Sequence, residues 1–144
     1  MPGGVGTDIV AVARIAALIR DRGGAFLERW FSQREIDYCS SKAKPSQHFA
    51  ARYAAKEAVV KALPVAWDGP LPWRSIEIVN DPRGVPSVRL SGAIMNAATS
   101  AGVTEISVSL SHCDEYATAV ALVAVARDQA ITAEPELANV RHGA

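Results

Sequence analysis

Two acids stand out by the company they keep. Asp8 lies in Gly4-Val5-Gly6-Thr7-Asp8-Ile9-Val10, and Glu57 in Phe49-Ala50-Ala51-Arg52-Tyr53-Ala54-Ala55-Lys56-Glu57-Ala58. A carboxylate among apolar and small residues needs a cation or hydrogen-bond donors to offset its lost hydration. The second segment and its continuation carry Arg52, Lys56 and Lys61, so acids able to hold a metal are interleaved with cations able to hold phosphate. Phosphoryl transfer uses that combination, because it asks for charge neutralisation and positioning more than for covalent work by the protein.

On a helix, Glu57 and Lys61 are one turn apart in the favourable acid-first order, with Ala50 and Ala54 completing the same flank. Read alone, such a pair is a surface ion pair and Thr7-Asp8 a local cap of backbone amides; the small, apolar surroundings weigh against both. Arg52 precedes Glu57 by five residues and Lys61 by nine, so at about 100° per residue it points about 140° and about 180° away from them. It contacts a distant part of a long ligand, faces another subunit, or lays its stem over the surface.

The elements that must hold these residues follow from pattern and punctuation. Val5 to Val12 reads as a strand with Asp8 on the face of Gly6 and Val10, followed by a short helix from Val12 to Arg20 that stops before Gly23-Gly24. Ser32-Gln33-Arg34-Glu35 fits a capping box that starts a helix reaching Ser41. Ser46 is placed to cap a central helix from Gln47 to Leu63, which Pro64 ends. Asp81-Pro82-Arg83-Gly84 has turn composition between strands Ser75–Asn80 and Ser87–Leu90. A helix from Gly92 to Ala101 precedes a second hairpin, Glu105–Ser111 and Tyr116–Val125, joined through His112-Cys113-Asp114-Glu115. Paired hairpins interleaved with helices predict an α+β fold with a largely antiparallel sheet.

A chain of 144 residues that is 49% hydrophobic can bury one core. We expect a single domain over residues 1–127 and a loosely attached tail over 128–144, where Glu134-Pro135-Glu136 marks a change of character. Fifteen basic and fifteen acidic residues cancel, which leaves no broad cationic footprint for nucleic acid. The longest apolar run, Ala117 to Ala126, is too short to span a bilayer, and the Met-Pro-Gly-Gly start lacks a signal-like region; the expectation is a cytoplasmic protein without a membrane partner. Cys39 and Cys113 read as ordinary thiols. Cys113 cannot readily be served by His112 as a base, since neighbours in a strand point to opposite faces. Three histidines without ligand spacing argue against zinc.

Four segments together, Gly4-Val5-Gly6-Thr7-Asp8-Ile9, Phe49 through Ala58 with Lys61, Gly84-Val85-Pro86, and Ser109-Leu110-Ser111-His112, resemble the holo-acyl-carrier-protein synthase type of 4′-phosphopantetheinyl transferase. The second segment is the most specific; Gly-x-Pro alone has the composition of an ordinary turn, and a lone strand-end histidine is usually structural. The resemblance covers residues 4–125. It implies transfer of 4′-phosphopantetheine from coenzyme A to a serine of an acidic apo-acyl carrier protein, releasing adenosine 3′,5′-bisphosphate. It implies Mg²⁺ on Asp8 and Glu57, a cation suited to hard oxygen ligands and content with one or two carboxylates plus phosphate. Catalysis would fall to Glu57, Asp8 and Lys61, with Glu57 taking the serine proton directly or through a water. Coenzyme A would be bound by Arg52, Lys56, Lys61, Gly84, Pro86, Ser109, Ser111 and His112. Arg14 and Arg20, with Arg22 and Arg29 nearby, would dock the carrier protein. Two departures are Pro64, where the family often has Gly, and the extension past residue 127.

The resemblance also implies a homotrimer with active sites at subunit boundaries. The direction of Arg52 and the two-sided apolar character of Ala117 to Ala126 point the same way. Two rivals are weighed: a non-catalytic module for coenzyme A or a nucleotide, which would have no need of a paired-acid metal site, and a metal-dependent phosphohydrolase that uses water in place of the serine.

Overall fold

The computed structural model describes residues 2–127, and the expected tail at 128–144 lies outside the described residues. Strand β1 (Pro2–Ala11) passes directly into helix α1 (Val12–Arg22), then α2 (Gly24–Trp30), α3 (Gln33–Ser40) and the long α4 (Pro45–Ala62). A 3-10 turn at Trp73–Ser75 leads into the hairpin β2 (Ile76–Asn80) and β3 (Pro86–Leu90). Helix α5 (Gly92–Ser100) and the hairpin β4 (Val103–His112) and β5 (Tyr116–Val125) complete the described chain. One sheet has the order β1-β5-β4 and the other is the β2-β3 pair; every pairing is antiparallel. The expected α+β architecture is what the chain adopts. Among the described residues no helix is long and apolar enough to cross a membrane.

Helix α4 is the axis of the molecule. Apolar or small residues surround it on all sides, and Ala50, Ala54, Ala55, Ala58 and Val59 are fully buried, as expected of a helix without a free face. The three-stranded sheet lays its inner row against it, Ala117, Ala119, Ala121 and Val123 of β5 being at most 2% exposed. Small side chains on both surfaces bring β1 unusually close. A Cβ added to Gly4 would stand 2.1 Å from the Ala62 carbonyl oxygen, and one added to Gly6 would stand 1.9 Å from that of Ala58. Glycine is required at both positions by space.

The sheet's other face is open. Val5 and Ile9 of β1 are each 66% exposed, and Tyr116, Val120 and Leu122 of β5 are 40 to 52% exposed, so strict alternation gives β5 a buried alanine row and an uncovered apolar row.

One boundary and one additional helix correct the sequence reading. Helix α4 starts at Pro45 with Lys44 as its N-cap residue and no side-chain cap, so Ser46 lies inside the helix; proline is pre-organised for that first position, where its missing N–H costs nothing. Helix α2 was not expected, because seven residues starting with glycine give little helical propensity. What holds it is packing: Phe26 and Trp30, one turn apart, enter an aromatic cluster in which Trp30 stacks on Tyr53 at 4.1 Å and on Trp73 at 4.0 Å. The capping box at Ser32 and Glu35 is present as read.

The glycine constraint is directly testable. Gly6→Ala should lower stability by about 3 kcal/mol, because the added methyl would meet the backbone of α4, which cannot swing aside as the end of a flexible side chain could. Gly24→Ala, with nothing within 4 Å of its added Cβ, should be neutral or mildly stabilising in the same denaturant titration. Equal midpoints for the two variants would refute the close-approach argument.

Candidate functional site

The close packing of β1 on α4 brings the two notable acids together. Asp8 points from β1 toward the helix, and its carboxylate accepts a hydrogen bond from Lys61 Nζ at 3.2 Å. Lys61 Nζ also donates to the Thr7 carbonyl at 3.0 Å, so this lysine latches strand to helix. Glu57 lies one turn earlier on α4 and is half-buried. Its carboxyl is pushed above the usual carboxylate range, first by loss of hydration and then by the negative charge of Asp8; Lys61 and Arg14 oppose the shift. Arg14 of α1 stands over the Tyr53 ring at 5.8 Å, near enough for Glu57 to feel its charge.

Two carboxylates facing one another with a single directly bound lysine form an electron-rich, incompletely neutralised pair. Among the described residues no cluster of three or more metal-ligating side chains exists. The acid pair therefore suits a hard cation that takes most of its oxygens from phosphate and water, which fits Mg²⁺, and does not suit a fully protein-coordinated metal.

A second cluster occupies the opposite side of α4. Arg52, 3% exposed, lines a cavity of about 200 Å³ together with Tyr38, His48, Asn80 and His112, and with Gly84 and Pro86 of the β2–β3 turn. Its guanidinium stacks on the Tyr38 ring at 4.2 Å and donates from Nη2 to the Asn80 side-chain oxygen, while its buried Nε has no partner. The turn is held by Asp81, whose carboxylate accepts from the Arg83 and Val85 amides at 2.8 and 2.9 Å, and it passes through Gly84 at φ +85°. Asn80 in turn donates to the Gly84 carbonyl at 3.0 Å. No carboxylate lines this cavity.

Several sequence-derived residues lie elsewhere than expected. Lys56, read as a phosphate ligand, is fully buried and donates to Glu35 at 2.7 Å and to the Trp73 carbonyl at 2.9 Å; it is one residue, about 100°, round the helix from Glu57, which turns it into the core. Burial lowers its pKa and Glu35 opposes that shift. Ser109 and Ser111 face the open side of the sheet with Thr118 and Val120, because strand alternation sends Leu110 and His112 the other way, into the Arg52 cavity. They are therefore not companions of His112 in one chain. Arg20 is exposed and paired with its neighbour Asp21, whereas Arg22 and Arg29 border a groove of about 220 Å³ between α1 and α2 with Leu18, Phe26, Trp30 and Tyr53.

Residues the sequence reading passed over are Tyr38, His48, Asn80 and Tyr53. His48 was discoverable, since it precedes Arg52 by one helical turn. Cys39 is buried, and desolvation pushes its thiol up to about 12, so it is chemically quiet; Cys113 is exposed in the β4–β5 turn.

A sequence profile of the 4′-phosphopantetheinyl transferase superfamily matches residues 4–121. A holo-acyl-carrier-protein synthase of Ruminiclostridium cellulolyticum is 46% identical over 122 residues, 84% of this chain and 91% of that protein. The fold superposes on the crystal structure of holo-acyl-carrier-protein synthase from Neisseria meningitidis with a TM-score of 0.78 at 31% identity, covering 86% of this chain and 99% of that one. It also superposes on the Helicobacter pylori enzyme in complex with coenzyme A, with a TM-score of 0.72 at 35% identity, covering 83% and 99%.

The raised pKa of Glu57 has a stability consequence. An acid easier to protonate in the folded than in the unfolded state weakens the fold as pH rises from the ordinary carboxylate range through its raised value. Glu57→Gln should therefore raise the thermal midpoint at neutral pH, modestly because the group is partly solvated. That gain should vanish below the ordinary carboxylate pKa, where Glu57 is protonated in both states. A gain that persists unchanged in acid would show another cause.

Proposed function

Because the chain belongs to the 4′-phosphopantetheinyl transferase superfamily, with the profile matching residues 4–121, we propose that it transfers 4′-phosphopantetheine from coenzyme A to a serine hydroxyl of an apo-acyl carrier protein. The observation that carries the reading is the Asp8–Glu57–Lys61 cluster, where two carboxylates and a cation meet at the β1–α4 contact. Curated relatives named holo-acyl-carrier-protein synthase and a similar structure in complex with coenzyme A support the substrate pair.

In the proposed reaction the carrier serine Oγ attacks the pantetheine-side phosphorus of the coenzyme pyrophosphate. The serine proton passes to Glu57, directly or through a water. The bond from phosphorus to the bridging oxygen breaks, and adenosine 3′,5′-bisphosphate leaves with that oxygen. Lys61 places a fixed positive charge beside Asp8 where the pyrophosphate must lie. Asp8 and Glu57 would hold Mg²⁺, which supplies charge neutralisation on the phosphoryl oxygens. Arg52, cation-stacked and short of one hydrogen-bond partner, suits the phosphate at the nucleotide end, with Gly84, Pro86 and His112 as neighbours.

The Arg52 cavity and the acid pair lie on opposite sides of α4, so one chain does not present both to a single coenzyme. The apolar row of Val5, Ile9, Val120 and Leu122 offers a covering surface for a second copy. A homotrimer that packs these sheets would let one subunit's cavity and another's acid pair share a ligand. The α1–α2 groove, apolar within and bordered by Arg22 and Arg29, suits an acidic carrier protein. Its inner residue Tyr53 also meets Arg14, which leads from the groove toward Glu57.

Incubation with coenzyme A, Mg²⁺ and apo carrier proteins, read by intact mass, should show the phosphopantetheine adduct. Asp8→Asn and Glu57→Gln should each lower the rate at least a hundredfold while remaining folded, and EDTA should act alike. Hydrolysis of coenzyme A without an adduct would favour a phosphohydrolase; binding without turnover would favour a non-catalytic module.

Docking separates from chemistry in the kinetics. Arg14→Glu and Arg22→Glu should raise KM for the carrier protein several-fold and leave that for coenzyme A nearly unchanged. Mixing Glu57→Gln with His112→Ala subunits should restore part of the activity each lacks alone, since some boundaries then receive two intact halves. A fully active monomer in sedimentation would refute the shared site.

A further inference from the structure

The Arg52 cavity holds a second histidine, His48, to which the proposed transfer reaction gives no role. His48 is one turn before Arg52 on α4. Its ring meets His112 edge-on, with centroids 5.1 Å apart and planes at 62°, and meets Tyr38 at 6.2 Å. The groups that face it are Tyr38 from α3, Lys42 from the turn that follows, Arg52 from its own helix and His112 from β4. Asp114, in the turn after β4, is taken up by Lys44 and Gln47 at 2.8 Å each, and no acid lines the cavity. Basic groups converge here from three elements around a pocket large enough for a small anion. The Arg52 Nε, in a residue 3% exposed, lacks a partner. A buried donor without a partner, set among like-charged groups, is unfavourable until an anion joins it.

We propose that His48 is a further binding residue for the phosphomonoester at the nucleotide end of coenzyme A, and that it takes up a proton as that phosphate enters. The proposal rests on the seating of the nucleotide end in this cavity. Burial, then the neighbouring His112, Arg52 and Lys42, keep the His48 ring below the ordinary histidine range, so it is neutral in the free protein near pH 7. A phosphate dianion reverses the local field and favours the imidazolium. By linkage, affinity then rises as pH falls through the raised pKa of the complex, and levels off below the lowered pKa of the free protein. Recognition of the phosphate becomes coupled to a proton, which a permanently charged arginine cannot provide.

Calorimetric titration of wild-type protein near pH 7, in two buffers of different ionisation enthalpy, counts the protons taken up with coenzyme A and with 3′-dephospho-coenzyme A. The expected result is uptake approaching one proton for coenzyme A and none for the dephospho form. His48→Gln should abolish the uptake and bind coenzyme A about tenfold more weakly, with the deficit shrinking toward pH 8. The phosphate itself titrates with a second pKa of about 6, but a proton taken up by the phosphate would persist in the variant. His48→Asn should behave alike, and the unfolding midpoints of both variants show that they are folded. Wild-type protein that binds coenzyme A, with variants matching its proton count and affinity, overturns the role of His48 alone. Wild-type protein that does not bind coenzyme A overturns the seating of the coenzyme, and this proposal with it.

Discussion

The contact between β1 and α4 sets the geometry on which the remainder is built. A strand normally stands off a helix by the depth of two side-chain layers; here the strand contributes none at Gly4 and Gly6 and meets helix carbonyls directly. That proximity lets a short aspartate on the strand reach a lysine on the helix, and Lys61 ties the two elements through both Asp8 and the Thr7 carbonyl. Any side chain inserted between them would separate the acids before it disturbed anything else. Packing and chemistry therefore depend on the same two missing methyl groups.

Because α4 is surrounded, it can present chemistry on more than one side. Its Glu57 and Lys61 meet β1, its Arg52 and His48 meet the β2–β3 turn and the end of β4, and its Tyr53 meets α1 and α2. A helix with one solvent face could not do this. The alanines that make the arrangement possible contribute little burial individually, so the aromatic cluster of Phe26, Trp30, Tyr53 and Trp73 supplies apolar area that the sheet side of the helix lacks.

What the sequence revealed follows physical range. Punctuation is local, so the capping box at Ser32, the Asp81–Gly84 turn and the limits of Tyr116–Val125 were legible. Helical angle is also local, and it placed Arg52 away from Glu57 and Lys61 before any coordinates. Burial is not local. Lys56 lies between Ala55 and Glu57 and reads as one more cation on a basic helix; only the fold brings Glu35, twenty-one residues earlier in the chain, to meet it. Helix α2 was hidden for the same reason, its stability coming from Tyr53 and Trp73 rather than from its own residues. Ser109 and Ser111 were grouped with His112 by motif, although the period of the strand already divided them.

The Lys56–Glu35 pair has an evolutionary consequence. Glu35 also accepts from the Ile78 amide at 3.2 Å and the Ser32 amide at 3.0 Å, so this one carboxylate joins α3, α4 and β2. Losing either charge alone strands the other in the core, at a cost of about 3–5 kcal/mol, whereas exchanging both for apolar residues of like volume is often tolerated. The two positions are thus genetically coupled across a fitness valley that single substitutions do not cross. The two positions are therefore expected to change together or not at all, a constraint that exposed positions on the outer helices do not share.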